Sequence, residues 1–291
     1  MTNRVALSLA PRDTDSCLAT LRAAGSRIEL AEIRLDLMDS FDLPRLIAEA
    51  PCGLIITCRP PREGGRFGGS EIERLAILRQ ALELGCAYVD VEWDSIELLE
   101  RPQGAAGQVM VSRHWFDRMP ESLWLVYETL RDRADVVKLV GLAQQPTEML
   151  PVLELLQRAT TPVVAIAMGA AGQLTRLIAP CYEACLLTYA AAATTSATAS
   201  GQYSLQELIE RYHLDRVGPH TELHLHLCAD DESARAAAER NAGVADGAVL
   251  YAPLVLAADQ IEALAPGLRA NAPRLTLSAD PPLQAALQRP S

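Results

Sequence analysis

Eight short apolar runs with helical segments between them constrain the fold of this chain more than any other feature. The runs are Val5–Leu9, Ile33–Leu37, Leu54–Cys58, Tyr88–Val91, Val109–Ser112, Val136–Val140, Val163–Met168 and Cys185–Tyr189. They are nearly continuous in apolar residues, the pattern of strands buried on both faces. Between them lie amphipathic stretches such as Ser70–Leu84, Pro120–Arg133, Thr147–Arg158 and Gly172–Tyr182. Strand–helix alternation of this kind predicts an α/β fold with a parallel sheet covered by helices, and eight units predict a closed (β/α)8 TIM-like barrel. A doubly wound open sheet is the alternative. No glycine-rich dinucleotide fingerprint follows the first run, which weakens it.

The pattern changes near Gln202. Ser204–His213 reads as a last helix of the barrel. A new cycle then starts: strand Leu223–Cys228, helix Asp231–Asn241, strand Ala248–Val255, helix Asp259–Ala270 and strand Arg274–Leu277. The expected division is a barrel over residues 1–216 and a small α/β unit over 220–291, with Val217-Gly218-Pro219 as linker.

Aromatic residues make up only 4% of the chain, so alanine, leucine and valine must fill the core. The formal net charge of −11 argues against nucleic acid and anionic membrane surfaces as partners. No apolar stretch reaches membrane-spanning length, and the N-terminus lacks a signal-peptide layout. The seven cysteines show no CxxC spacing, which predicts reduced thiols in a cytoplasmic protein.

Of 26 lysine and arginine residues, one is lysine. It is Lys138, within the apolar run Val136–Val140. A buried ammonium is costly unless it is paired or loses its proton. An amine with a depressed pKa is a nucleophile able to form a Schiff base with a carbonyl. The bland alternative is a strand-end lysine whose head reaches water. Arginine has replaced lysine everywhere else, so solubility does not explain this residue.

Other polar residues fall at comparable places. Ser8 closes the first run, Glu32, Arg34 and Asp36 alternate along the second, and Arg59, Glu92, His114 and Met168 end later ones. In a barrel these strand ends meet at one mouth. A histidine oriented by a carboxylate suits the proton transfers of imine chemistry, which nominates His114 with Glu92. Arg34, Arg59 and Arg176 are candidates to bind a carboxylate bidentately. Each is equally a candidate for a structural ion pair, Arg34 with Glu32 or Asp36. The glycines of Gly64–Gly69 suggest a mobile loop over the site rather than a phosphate loop, since the Walker lysine is missing. His224 and His226 share a strand face, but no third ligand has recognisable spacing, so structural histidines and no metal site are expected.

These residues resemble the type I 3-dehydroquinate dehydratases over roughly residues 4–205. Glu32-Ile33-Arg34-Leu35-Asp36 is similar to the family's E-x-R-x-D segment. Thr57-Cys58-Arg59 with Glu63-Gly64-Gly65 resembles its T-x-R…E-G-G loop, and Asp90-Val91-Glu92 its D-x-E strand. Ser112-Arg113-His114-Trp115-Phe116 and Asp135-Val136-Val137-Lys138 resemble the segments of the catalytic histidine and the Schiff-base lysine. Met168-Gly169, Gly172, Thr175-Arg176 and Gly201-Gln202 complete the series.

The resemblance implies a cofactor-free dehydration of 3-dehydroquinate to 3-dehydroshikimate through an imine on Lys138. His114 would serve as base and acid, and Glu92 would orient it. It also implies Arg176 as carboxylate clamp, with Ser8, Glu32, Arg34, Arg59, Thr198 and Gln202 on hydroxyls and scaffold. The chain departs from the family at Thr198-Ala199-Ser200, where a serine and a proline are usual. The C-terminal unit resembles a degenerate, truncated substrate domain of a shikimate dehydrogenase. It lacks that domain's lysine near Asp280 and no nicotinamide-binding segment follows, so no dehydrogenase activity is expected. A homodimer is expected by analogy with other barrels. Two other readings are a class I aldolase-like barrel and a non-catalytic protein that binds a cyclic hydroxy acid.

Overall fold

The computed structural model describes residues 4–192, 201–244 and 246–288. Eight parallel strands form the main sheet: β1 Val5–Leu9, β2 Leu30–Arg34, β3 Gly53–Thr57, β4 Tyr88–Glu92, β5 Gln108–Trp115, β6 Val136–Leu142, β7 Val163–Met168 and β8 Thr188–Ala191. Their order is β7-β6-β5-β4-β3-β2-β1-β8. An isolated parallel bridge between Val163 and Cys185 brings the two ends together. The fold is therefore the TIM-like barrel that the eight apolar runs predict.

Two strands sit off their expected positions. β2 starts three residues before Ile33, and Leu35–Leu37 turns off as a 3-10 segment. β8 starts at Thr188, after Cys185–Leu187 has bridged to β7. In both places an apolar run continues past a strand boundary because the neighbouring turn is itself buried.

Six α-helices pack on the outside: α1 Thr14–Ala24, α2 Leu43–Glu49, α3 Glu71–Glu83, α4 Leu123–Leu130, α5 Leu150–Arg158 and α6 Leu174–Ile178. Helix starts follow local chemistry. Asp13 caps α1 and Ser70 caps α3, each in a reciprocal capping box that satisfies otherwise orphaned amides. The connection from β4 to β5 carries only the 3-10 turn Ile96–Leu98. The expected helix at Ser204–His213 is wound as a π-helix over Glu207–Arg211.

The C-terminal unit is a three-stranded parallel sheet of order β10-β9-β11, with β9 Glu222–Cys228, β10 Val249–Val255 and β11 Leu275–Ala279. Helices α7 Asp231–Glu239, α8 Ala258–Asn271 and α9 Pro281–Gln288 accompany it. Asn241 holds the end of α7 to β10, accepting from the Tyr251 amide and donating to its carbonyl at 2.9 and 2.8 Å. The inner face of the sheet (Leu223, Leu225, Leu227, Leu250, Ala252) belongs to the same apolar cluster as the barrel's outer layer. Val217-Gly218-Pro219, at the expected linker, is a packed turn. Val217 is buried, and the Gly218 amide donates to Thr221 Oγ1 at 3.0 Å. A Cβ at Gly267 of α8 would lie 2.6 Å from Leu150 Cδ1 of α5, so a larger residue there would require the Leu150 side chain to shift.

Candidate active site

Successive residues of a strand face opposite sides, so one parity of each strand faces the barrel axis. In the lower layer these positions are Ala6, Leu30, Ile55, Tyr88, Met110, Val136, Val164 and Leu187, one apolar cluster. Two residues further along, the inward set is Ser8, Glu32, Thr57, Asp90, Ser112, Lys138, Ile166 and Tyr189. Six of these eight neighbouring positions, on β1 to β6, are polar. The barrel thus changes from an apolar plug to a polar mouth within one repeat of every strand from β1 to β6. A cavity at this mouth is lined by Ser8, Glu32, Arg34, Arg59, His114, Lys138, Arg176 and Gln202, among others.

Lys138 is almost fully buried. Its Nζ donates to Glu32 Oε1 and Asp90 Oδ2, both at 2.9 Å, and to the Tyr189 hydroxyl at 3.2 Å. Burial alone would pull the amine's pKa down, but Asp90 and Glu32 outweigh it and hold Lys138 above the ordinary lysine value. The depressed amine expected from a lysine in an apolar run is therefore corrected. Before substrate binds, Lys138 is an ammonium clamped by two carboxylates.

The clamp belongs to a line of alternating charge. Arg59 donates to Asp90 and Glu92, each at 2.8 Å, and to Ser112 at 2.6 Å. Glu92 in turn meets the fully buried Arg74, which also bonds Glu71 and the Cys58 carbonyl. The order is Glu32, Lys138, Asp90, Arg59, Glu92, Arg74, Glu71. Burial opposes the charge on Asp90, yet Arg59 and Lys138 hold its carboxyl well below the usual carboxylate range. Arg34 pairs bidentately with Asp36 at 2.8 Å, which settles its structural partner in favour of Asp36 over Glu32.

Glu92 does not touch His114. The carboxylate beside the histidine is Glu63, whose Oε2 accepts from the His114 amide at 2.9 Å and lies 3.1 Å from Nδ1. With Glu63 ionised, Nδ1 carries the proton and Nε2 is left as a lone pair for the cavity. Burial lowers the imidazole's pKa well below the ordinary value, and Arg59 and Lys138 add to this. Burial raises Glu63 to about 7.

Glu63 sits on the 3-10 turn Pro61–Glu63 rather than at a strand end. Its signal in the sequence is the pair of glycines after it. Gly64 takes a left-handed φ of 75°, and a side chain at Gly65 would meet the Arg59 carbonyl at 1.9 Å. Arg66 donates its amide to Asp36 at 3.0 Å and Phe67 to Arg59 at 3.1 Å. The first half of the glycine segment is thus a turn held by these hydrogen bonds beside the site.

Arg176, on α6, differs from the other buried cations. It is 2% exposed, pairs with no carboxylate among the described residues, and its Nε has no hydrogen-bond partner among them. Burial lowers its pKa to about 10. Thr175, beside it, turns back to donate to the Gly172 carbonyl at 2.8 Å. Thr198 lies outside the described residues.

A family model described as Type I 3-dehydroquinase matches residues 5–219. The 3-dehydroquinate dehydratase of Desulfotalea psychrophila is 32% identical over 205 residues, 65% of this chain and 88% of that protein. The chloroplastic bifunctional 3-dehydroquinate dehydratase/shikimate dehydrogenase of Arabidopsis thaliana is 30% identical over 71% of this chain, which spans 36% of that protein's length. The solved dehydroquinate dehydratase and shikimate dehydrogenase from S. pombe superposes with a TM-score of 0.62 at 20% identity. It covers 99% of this chain and 58% of its own. The chain belongs to the type I 3-dehydroquinase family, with the hydro-lyase activity that this name denotes, that of a 3-dehydroquinate dehydratase.

Proposed function

We propose that Lys138 forms an imine with the ketone of 3-dehydroquinate while the substrate carboxylate lies against Arg176. The observation that carries this reading is the contrast between two buried cations on one cavity. Lys138 is held by two carboxylates, whereas Arg176 meets none among the described residues. A buried guanidinium without an anion is a site for a ligand that brings one.

Lys138 must first lose a proton, and Glu32 and Asp90 at 2.9 Å are acceptors in reach. Its nitrogen then adds to the carbonyl carbon and the carbonyl oxygen leaves as water. The resulting iminium draws electrons from the neighbouring carbon, so neutral His114 can remove a proton there. Those electrons expel the β-hydroxyl, which departs as water with the proton returned by the imidazolium. Hydrolysis frees 3-dehydroshikimate and Lys138.

Glu63 orients His114, and Glu92 acts one step back by holding Arg59. Ser8, Glu32, Arg34 and Gln202 receive substrate hydroxyls, and Arg59 fixes the carboxylates around the amine. Thr198 joins this set from the family resemblance alone. No cofactor is required by these steps.

The unit over residues 220–291 is a degenerate relative of the substrate domain found in bifunctional dehydratase–dehydrogenases, and it brings no dehydrogenase activity to this chain. The protein works as a homodimer in the cytoplasm. Seven free cysteines, six of them buried, support a reducing compartment, and no described helix is long and apolar enough to cross a membrane.

Borohydride reduction in the presence of 3-dehydroquinate, read by peptide mass spectrometry, tests the central step. A reduced adduct on the Lys138 peptide is the expected result. An unmodified Lys138 at saturating substrate would mean that the dehydration does not pass through an imine on this lysine. Light scattering after gel filtration checks the dimer.

A further inference from the structure

The outer face of the three-stranded sheet carries polar side chains that the barrel does not use. Every second residue of β9 points there, including His224, His226 and Cys228, and β11 sets Ser278 beside His226. His224 turns to the edge of the Tyr251 ring, with centroids 5.0 Å apart. His226 and Cys228 instead converge with Asp280, the residue after β11. An imidazole nitrogen, the thiol sulfur and a carboxylate oxygen lie within 4.8 Å of one another. The third ligand that spacing along β9 did not offer thus comes from a neighbouring strand.

We propose that His226, Cys228 and Asp280 bind zinc. One nitrogen, one sulfur and one carboxylate oxygen form a donor set suited to zinc and poorly suited to magnesium or calcium. The groups behind these ligands aim them. Ser278 Oγ lies 2.8 Å from His226 Nδ1, which turns Nε2 toward the cluster. The Ala229 amide donates to Asp280 Oδ2 at 2.8 Å, which leaves Oδ1 toward His226. Such outer contacts fix ring orientation and carboxylate geometry at metal sites.

Cys228 is fully buried, while His226 and Asp280 are partly exposed. Tetrahedral zinc with bonds of about 2.0–2.3 Å needs its ligands roughly 3.3–3.8 Å apart. Closing the cluster takes about an ångström at its widest and replaces the 2.9 Å His226–Asp280 hydrogen bond. The Cys228 proton leaves to solvent, and thiolate and carboxylate then balance the two charges of the ion. The fourth position is open to water. The ion ties β9 to β11, an edge strand of the small sheet.

The test uses the full chain, stripped with chelator and titrated with zinc, then with cobalt as a spectroscopic substitute. The expected results are one metal per chain, a thiolate-to-cobalt charge-transfer band and a higher unfolding midpoint with zinc. Cys228→Ser abolishes the band, and Ser278→Ala, a change on the exposed face, weakens binding by about 10–100-fold. The dehydratase rate of each variant, expected to be unchanged, reports that it has folded. Failure to take up one equivalent of zinc, or a cobalt band that survives Cys228→Ser in a chain with normal dehydratase rate, overturns the proposal.

Discussion

Two parts of the barrel mouth bury positive charge in opposite ways. Along β2 to β6, Lys138 and Arg59 are interleaved with Glu32, Asp90 and Glu92, so every buried cation has an anion on each side. At α6, Arg176 is buried as deeply and faces no carboxylate among the described residues. Removing one member of a paired set strands its partner's charge, whereas removing an unpaired cation relieves a desolvation cost. The paired wall therefore maintains the site, and the unpaired guanidinium is kept for the ligand.

Substitutions can break this comparison in descending order of effect. Lys138→Ala should reduce dehydratase turnover to background, a loss on the order of 10⁶-fold, the low end of enzymic rate enhancements, as a steady-state assay would show. Arg59→Met should cost about 3–5 kcal/mol of stability, because it leaves Asp90 with Lys138 alone and Glu92 with Arg74 alone and so adds a net buried negative charge, as measured by denaturant unfolding. Arg176→Met should behave oppositely. Its kcat/KM for 3-dehydroquinate should fall by roughly 10–150-fold, the worth of a charge-assisted hydrogen bond of about 1.5–3 kcal/mol, while the ligand-free protein is no less stable than the parent. A clear loss of stability in that variant would mean that Arg176 has a structural anion after all.

The smallest effect concerns Glu63. Its carboxyl is raised to about 7, so the ionised form that leaves His114 Nε2 free accumulates only as pH rises through that value. The acid limb of the rate profile should lie there, and Glu63→Gln should remove it. The sign for stability is reversed. A raised carboxyl contributes stability that is fully present below its unfolded value near 4.5 and lost as pH rises through about 7. Unfolding of Glu63→Gln should therefore depend less on pH across that window.

Most of the mouth was legible in sequence because inward positions share a parity. Glu32, Asp90 and Lys138 each sit two residues beyond an apolar inward neighbour, Leu30, Tyr88 and Val136, and a polar residue there stands out in an apolar run. Glu63 was not legible as the partner of His114, because it reaches the site from a turn where no parity applies. Glu92, at a strand end with the right parity, was the natural choice, and only the positions of Arg59 and Arg74 show where its charge is used. The charge state of Lys138 was missed for another reason: its two carboxylates come from strands distant in sequence. In the C-terminal unit, the alternation along β9 revealed the face shared by His224 and His226. Asp280 could not be read from it, because strand order decides which distant residue lies alongside.

The barrel's closure has a consequence for how the molecule opens. Every other pair of adjacent strands is joined by a ladder, but β7 and the approach to β8 meet at Val163, which donates to Ala184 and accepts from Leu186, both at 2.8 Å. Arg4 reinforces this place from the first strand's edge, donating to the carbonyls of Tyr182 and Cys185 at 2.6 and 2.7 Å. A cylinder stitched so sparsely along one line has a preferred line of fraying. Deuterium should enter at the Val163 and Leu186 amides well before the inner strands β3 to β5 exchange, as expected if the barrel opens first along that line.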